Sequence, residues 1–133
     1  MTEHAAERRS LVLVADDDED ILMLVAFRLE RAGYDVITAR SGEQALNLAL
    51  ANTPDLAVLD VMMPGLDGYG VTRELRRADA TSEVPVILLT ARAEEADVAR
   101  GMAAGADDYV KKPFDARDLR ERVKRLLDLR PAS

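Results

Sequence analysis

Along the chain short runs rich in apolar residues alternate repeatedly with longer amphipathic stretches, in a pattern that reads as five strand-then-helix units, and this alternation restricts the fold more than any other feature. Short apolar runs suit strands buried on both faces, whereas apolar positions three and four apart suit helices. The runs predict strands over Leu11–Ala15, Asp35–Ala39, Leu56–Asp60, Val84–Thr90 and Asp107–Lys111. Helices are predicted over Glu19–Ala32, Gly42–Ala51, Tyr69–Arg77, Glu94–Ala103 and Ala116–Leu129. Ile21, Leu24, Val25, Phe27 and Leu29 form the expected core-facing stripe of the first helix, as do Leu119, Val123, Leu126 and Leu127 on the last. Gly33 reads as a helix stop, and Ser41 and Thr53-Pro54 flank the second helix. Strand-then-helix units imply a parallel sheet covered on both faces. Such a sheet is either open and doubly wound or part of a barrel, and five units are too few to close the eight-stranded barrel. The expected class is therefore α/β with an open sheet, whose ligands sit beyond the carboxyl ends of the strands where strand order reverses.

The 133 residues fit one domain with a substantial core. The folded unit is expected over residues 11–129, with a poorly ordered tail over Met1–Ser10 and a short carboxyl tail at 130–133. A composition of 48% apolar and 32% charged residues is that of a water-soluble globular protein. The apolar runs are far too short to span a bilayer, so no membrane partner is expected. Glu3, Glu7, Arg8 and Arg9 stand where a secretory signal needs an apolar segment. The absence of cysteine excludes disulfides, thiolate catalysis and cysteine-ligated metal, and a cytoplasmic location is the expectation. A net charge of −7 argues against non-specific attraction to nucleic acid. The basic cluster of Arg117, Arg120, Arg122, Lys124, Arg125 and Arg130 is interleaved with Asp118, Glu121 and Asp128, which reads as a solvated helix face with intrahelical ion pairs.

Acids collect where the strands end. Asp16-Asp17-Asp18 follow the first strand, Asp60 closes the third, and Asp107-Asp108 open the fifth. If the strands are parallel, the first two groups converge on one sheet edge, and crowded carboxylates call for a raised pKa or a divalent cation. A phosphate-cradling sheet would carry a Gly-rich turn after its first strand; the turn here is Asp16-Asp17-Asp18-Glu19. That turn repels a bare phosphate but can hold one through Mg²⁺, which prefers carboxylate and carbonyl oxygens. Asp18, Glu19 and Asp20 also read as an acidic helix amino terminus, so the metal reading falls mainly on Asp16 and Asp17. Thr90 at the end of the fourth strand and Lys112 after the fifth have ordinary readings of their own, a helix cap and a surface lysine. Together the strand ends bring acids, an acceptor, a hydroxyl and a cation to one edge.

The pair Asp16-Asp17, the segment Asp60-Val61-Met62-Met63-Pro64-Gly65-Leu66-Asp67-Gly68, Thr90-Ala91, Gly105-Ala106-Asp107-Asp108-Tyr109 and Lys112-Pro113-Phe114 together resemble the receiver domain of two-component response regulators. The resemblance runs from about Leu11 to Leu129, with motifs nearest those of receivers from winged-helix transcription factors. It implies a (βα)5, flavodoxin-like sheet of order 2-1-3-4-5. It also implies that Asp60 accepts a phosphoryl group from a phosphohistidine of a sensor histidine kinase or phosphotransfer protein. Mg²⁺ is then held by Asp16, Asp17, Asp60 and the backbone carbonyl of Met62, while Thr90 and Lys112 bind phosphoryl oxygens. The chain is expected to be a signalling phosphoacceptor and not an enzyme acting on other substrates, though it promotes its own phosphorylation and dephosphorylation. By the same resemblance the Lys112–Pro113 peptide bond is cis, an isomer that proline makes accessible.

The resemblance further implies that Thr90 moves toward the phosphoryl group and Tyr109 follows, remodelling the surface of the fourth helix, fifth strand and fifth helix. Arg100, Asp107, Asp108, Asp118 and Arg122 are the expected output surface, a mixed-charge set suited to a phosphorylation-enhanced homodimer. Met62 and Arg92 occupy positions flanking the path of a hydrolytic water, which predicts a long-lived phosphoryl group. Kinase docking is expected around Ile21 to Phe27 and the loop before Phe114. A haloacid-type hydrolase would need an acid two residues after the nucleophile, where this chain has Met62. A flavodoxin-like cofactor binder lacks its phosphate loop here, and a phosphorylation-independent docking module normally lacks part of the acceptor set.

Overall fold

The computed structural model describes residues 9–91 and 94–130. Arg92, most of the expected amino-terminal tail and residues 131–133 lie outside that range. Five strands, β1 (Leu11–Ala15), β2 (Asp35–Ala39), β3 (Leu56–Asp60), β4 (Val86–Thr90) and β5 (Asp108–Lys111), form one parallel sheet of order β2-β1-β3-β4-β5. The helices are α1 (Glu19–Arg31), α2 (Gly42–Asn52), α3 (Gly68–Arg77), α4 (Glu95–Ala104) and α5 (Ala116–Leu129), with a 3₁₀ turn at Asp79–Thr81. Strand order reverses between β1 and β3, which stand side by side in the register Val12–Leu56 through Ala15–Leu59.

Successive side chains of a strand point to opposite faces, and that alternation splits the core in two. Leu13, Ala15, Ala57, Leu59, Val86 and Leu88 face α2, α3 and the end of α4 through Ala45, Ala49, Val71, Leu75 and Ala104. Val12, Val14, Leu56, Val58, Ile87 and Leu89 face α1 and α5 through Leu22, Val25, Leu29, Leu119 and Val123. All five residues of β3 and of β4 are buried, as strands covered on both faces require.

Three local expectations are corrected. The face that α1 buries is Leu22, Val25 and Leu29, whereas Leu24 and Phe27 are 45% and 53% exposed. At 100° per residue Leu24 and Phe27 lie roughly 100° and 160° around the helix from Val25, outside a single apolar stripe. The fourth strand begins at Val86 and not at Val84, because Pro85 has no N–H to give the ladder, though Val84 is still buried. The fifth begins at Asp108, with Asp107 leading in through its N–H to the Val86 carbonyl at 2.8 Å.

The starts of α1, α2, α3 and α5 are set by side-chain acceptors. Asp18 accepts from the N–H groups of Asp20 and Ile21, Ser41 from Gln44, Asp67 from Gly70 and Asp115 from Arg117. Each cap satisfies donors that the first turn leaves without partners. The caps also fix where these four helices begin behind their strands, and so the shape of the loops there.

Candidate functional site

Asp16 follows β1 directly and Asp60 ends β3, so the neighbouring strands place both carboxylates at the switch in strand order. Asp16 and Asp60 are 1% and 3% exposed, while Asp17 faces solvent. One carboxylate oxygen from each of the three lies within 4.8 Å of the others. Lys112, from the loop after β5, donates its ammonium to Asp16 Oδ2 at 2.9 Å and to Asp60 Oδ1 at 3.3 Å. Asp16 Oδ1 accepts the Asp18 N–H at 2.9 Å, so both its oxygens are tied down. Asp60 Oδ1 accepts the Met62 N–H at 3.3 Å as well, so the ammonium and the amide fall on the same oxygen and not on Oδ2. The Lys112–Pro113 peptide bond is cis.

The electrostatics follow from this crowding. Burial, and then the charge of Asp16, push the Asp60 carboxyl up to about 7 against the opposing pull of Lys112. Burial alone would lower Lys112, but its hydrogen bond to Asp16 and the charge of Asp60 hold it above the ordinary lysine value. Fully ionised, three carboxylates facing one ammonium leave an excess of negative charge that a divalent cation would balance. The donors are hard oxygens, with Asp17 on the solvent side where coordinating water has access, and this set suits Mg²⁺.

The loop after β3, which carries Met62, is held from α2. Glu43 Oε2 accepts the Leu66 N–H at 3.0 Å, and a Cβ on Gly42 would overlap the Leu66 carbonyl oxygen. Only glycine lets α2 approach the loop this closely. Thr90 ends β4 fully buried, in register with Lys111 of β5, and Tyr109 lies one strand over, paired with Leu88. Tyr109 Oη is 3.0 Å from Tyr69 Oη. Burial first, and then the Tyr69 hydroxyl, raise the Tyr109 phenol above the ordinary tyrosine range.

The chain matches the family model described as the response regulator receiver domain over residues 12–124. It belongs to that family. The alkaline phosphatase synthesis transcriptional regulatory protein PhoP of Bacillus subtilis is 50% identical over 116 residues, 87% of this chain and 48% of that protein. The chain thus spans about half the length of the curated relatives it matches. A putative response regulator from Chloroflexus aurantiacus superposes with a TM-score of 0.86 at 37% identity, covering 91% of this chain and 99% of that one. The receiver domain of a sensor histidine kinase from Pseudomonas aeruginosa, solved with a magnesium ion coordinated in its active site cleft, gives a TM-score of 0.84 at 31% identity over 91% of this chain and 99% of its own. This receiver domain is therefore a phosphoacceptor module of two-component signalling, and the strand order and helix layers are those of the chemotaxis-type receivers.

The receiver brings Asp16, Asp17, Asp60 and Lys112 to one point, with Met62 beside them and itself 53% exposed. The five residues expected at the output surface divide into separate contacts. Arg122 holds Asp108 through both carboxylate oxygens at 2.8 and 2.9 Å and Asp118 at 3.0 Å. Asp107 turns the other way, to Arg76 at 3.0 Å and the Val86 N–H at 2.8 Å. Arg100 stacks over Tyr69 with its guanidinium carbon 4.7 Å from the ring centre. Sequence reasoning missed Tyr69, Glu43 and Gly42; Gly42 and Glu43 follow the Ser41 cap, but nothing in their spacing points to a loop residue more than twenty positions away.

Proposed function

We propose that Asp60 is the phosphoacceptor, taking the group from a phosphohistidine of a sensor histidine kinase or phosphotransfer protein. A carboxylate oxygen of Asp60 attacks phosphorus, the P–N bond breaks, and the imidazole nitrogen leaves with the electron pair. The observation that carries this is the bonding of Asp60: its Oδ1 accepts both the Lys112 ammonium and the Met62 N–H, which leaves Oδ2 as the attacking atom. Mg²⁺, held by Asp16, Asp17, Asp60 and the Met62 carbonyl, would supply charge neutralisation for the equatorial oxygens. Lys112, 3.3 Å from Asp60 Oδ1, would bind a second phosphoryl oxygen, and Thr90 at the end of the adjacent strand would bind another. Exposed Leu24 and Phe27 support docking of the kinase on α1. The receiver as a folded unit runs over residues 11–129.

Incubation with acetyl phosphate and Mg²⁺ should add one phosphoryl group to the intact mass, and a chelator should prevent it. Equal uptake with and without the chelator would reject the metal assignment, and no uptake under either condition would reject the acceptor.

Output is assigned to α4, β5 and α5, with Arg100, Asp107, Asp108, Asp118 and Arg122 in a phosphorylation-enhanced homodimer. An isologous contact can exchange the Arg122 partners Asp108 and Asp118 for the same residues of a second copy at little electrostatic cost. Sedimentation should show the mass doubling on addition of beryllofluoride with Mg²⁺; a monomer in both conditions at high concentration would dismiss the dimer. Because the PhoP relative is a transcriptional regulatory protein, control of transcription is the output we favour.

A further inference from the structure

Tyr69, in the first turn of α3, is 4% exposed, and its hydroxyl meets two other elements. It donates to the backbone carbonyl of Asp97 in the first turn of α4 at 3.3 Å, and it lies 3.0 Å from the hydroxyl of Tyr109 on β5. A hydroxyl has one hydrogen to donate. With the Tyr69 hydrogen directed at Asp97, the hydrogen between the two phenols belongs to Tyr109. The electrostatics have the same direction, since the Tyr69 hydroxyl raises the Tyr109 phenol, as an acceptor does to its donor, while a hydrogen bond from Thr90 lowers it. Two further contacts fix the pair. The Tyr109 ring is seated beneath Gly101 of α4, where an added Cβ would stand 2.9 Å from two ring carbons. The Arg100 guanidinium covers the Tyr69 ring.

We propose that Tyr69 is a positioning residue for the switch: its hydroxyl holds Tyr109 inward and ties it to the first turn of α4, so that ring and helix move as one unit. The proposal rests on the phosphoryl chemistry assigned to Asp60. When the Thr90 hydroxyl turns to a phosphoryl oxygen, the hydrogen bond from Tyr109 to Tyr69 is unaffected, because Tyr109 is its donor. The inward ring therefore outlasts its contact with the threonine. A phenylalanine at position 69 keeps the ring and the stacked Arg100 but removes this acceptor, and so lowers the population of the state that binds the phosphoryl group best.

The test is beryllofluoride binding with Mg²⁺, measured by calorimetry on the wild type, Tyr69→Phe, Tyr109→Phe and the double variant. Tyr69→Phe should weaken binding about fivefold, the net effect of one neutral hydrogen bond. In the Tyr109→Phe background the same substitution should change nothing, because the two hydroxyls act through each other. In protein carrying carbon-labelled tyrosine, the Tyr109 ring resonance, recognised by its loss in Tyr109→Phe, should shift in unliganded Tyr69→Phe. A wild type that binds no beryllofluoride removes the phosphoryl assignment and this proposal together. A wild type that binds, with Tyr69→Phe equal to it or equally impaired in the Tyr109→Phe background, overturns the Tyr69 role alone. An unshifted Tyr109 resonance overturns it as well.

Discussion

Asp60→Asn protein should take up no phosphoryl group from acetyl phosphate and, stripped of metal near pH 8, should resist denaturant better than the wild type. The first result follows from chemistry, since an amide oxygen is a poor nucleophile toward phosphorus. The second follows from burial. Asp60 is 3% exposed beside Asp16, and its carboxyl is raised from 3.8 to about 7. Between those values the folded protein holds a proton that the unfolded chain has released, so stability falls as pH rises through the window. The contribution of Asp60 is fully present below about 3.8 and is lost above about 7. Asparagine does not titrate, so the advantage of the variant opens across the same range and reaches on the order of 2–4 kcal/mol at the alkaline end. Denaturant midpoints between about pH 4 and pH 8 measure it. A gap that stays constant with pH would show that Asp60 is not perturbed in the folded state.

Lys112→Ala should have the opposite effect on stability. Lys112 lies against Asp16 and Asp60, both almost fully buried, at 2.9 and 3.3 Å. Removing the ammonium leaves two buried carboxylates facing each other, and breaking such a pair costs about 3–5 kcal/mol. Because the lysine charge lowers the Asp60 carboxyl, its loss moves that titration further upward, and the variant should lose most stability above neutral pH. Lys112→Ala combined with Asp60→Asn should recover most of the loss, since only one buried carboxylate then remains. Phosphoryl uptake by the single variant should slow on the order of a hundredfold, the effect of withdrawing one fixed electrostatic donor. A Lys112→Ala protein as stable as the wild type at all pH values would contradict the buried triad.

Both predictions concern residues whose placement is legible in the amino-acid sequence, and the reason is geometric. Asp60 ends β3 and Lys112 directly follows β5, and a parallel sheet delivers all such ends to one edge, so residue type and position together bring the acid and the cation to one place. What the sequence hides depends on angles and contacts between distant segments. Leu24 and Phe27 carry the same apolar chemistry as Val25, and residue type alone does not tell them apart; their angular positions on α1 place them away from the face that meets the sheet. Asp107 and Asp108 look like one acidic cluster, yet strand alternation sends them to opposite faces, one to Arg76 and the other to Arg122. Tyr69 reads as an ordinary aromatic at a helix start, because its partners at Asp97 and Tyr109 come from α4 and β5.

Asp60, and no other carboxylate in the cluster, is expected to become an acyl phosphate. Reduction of the acetyl phosphate-treated protein with borohydride converts an aspartyl phosphate to homoserine, which peptide mass spectrometry can place in the sequence. Homoserine at position 60, dependent on Mg²⁺, is the predicted result. Homoserine at position 16 or 17, or none at all in protein that has taken up phosphoryl groups, would contradict it.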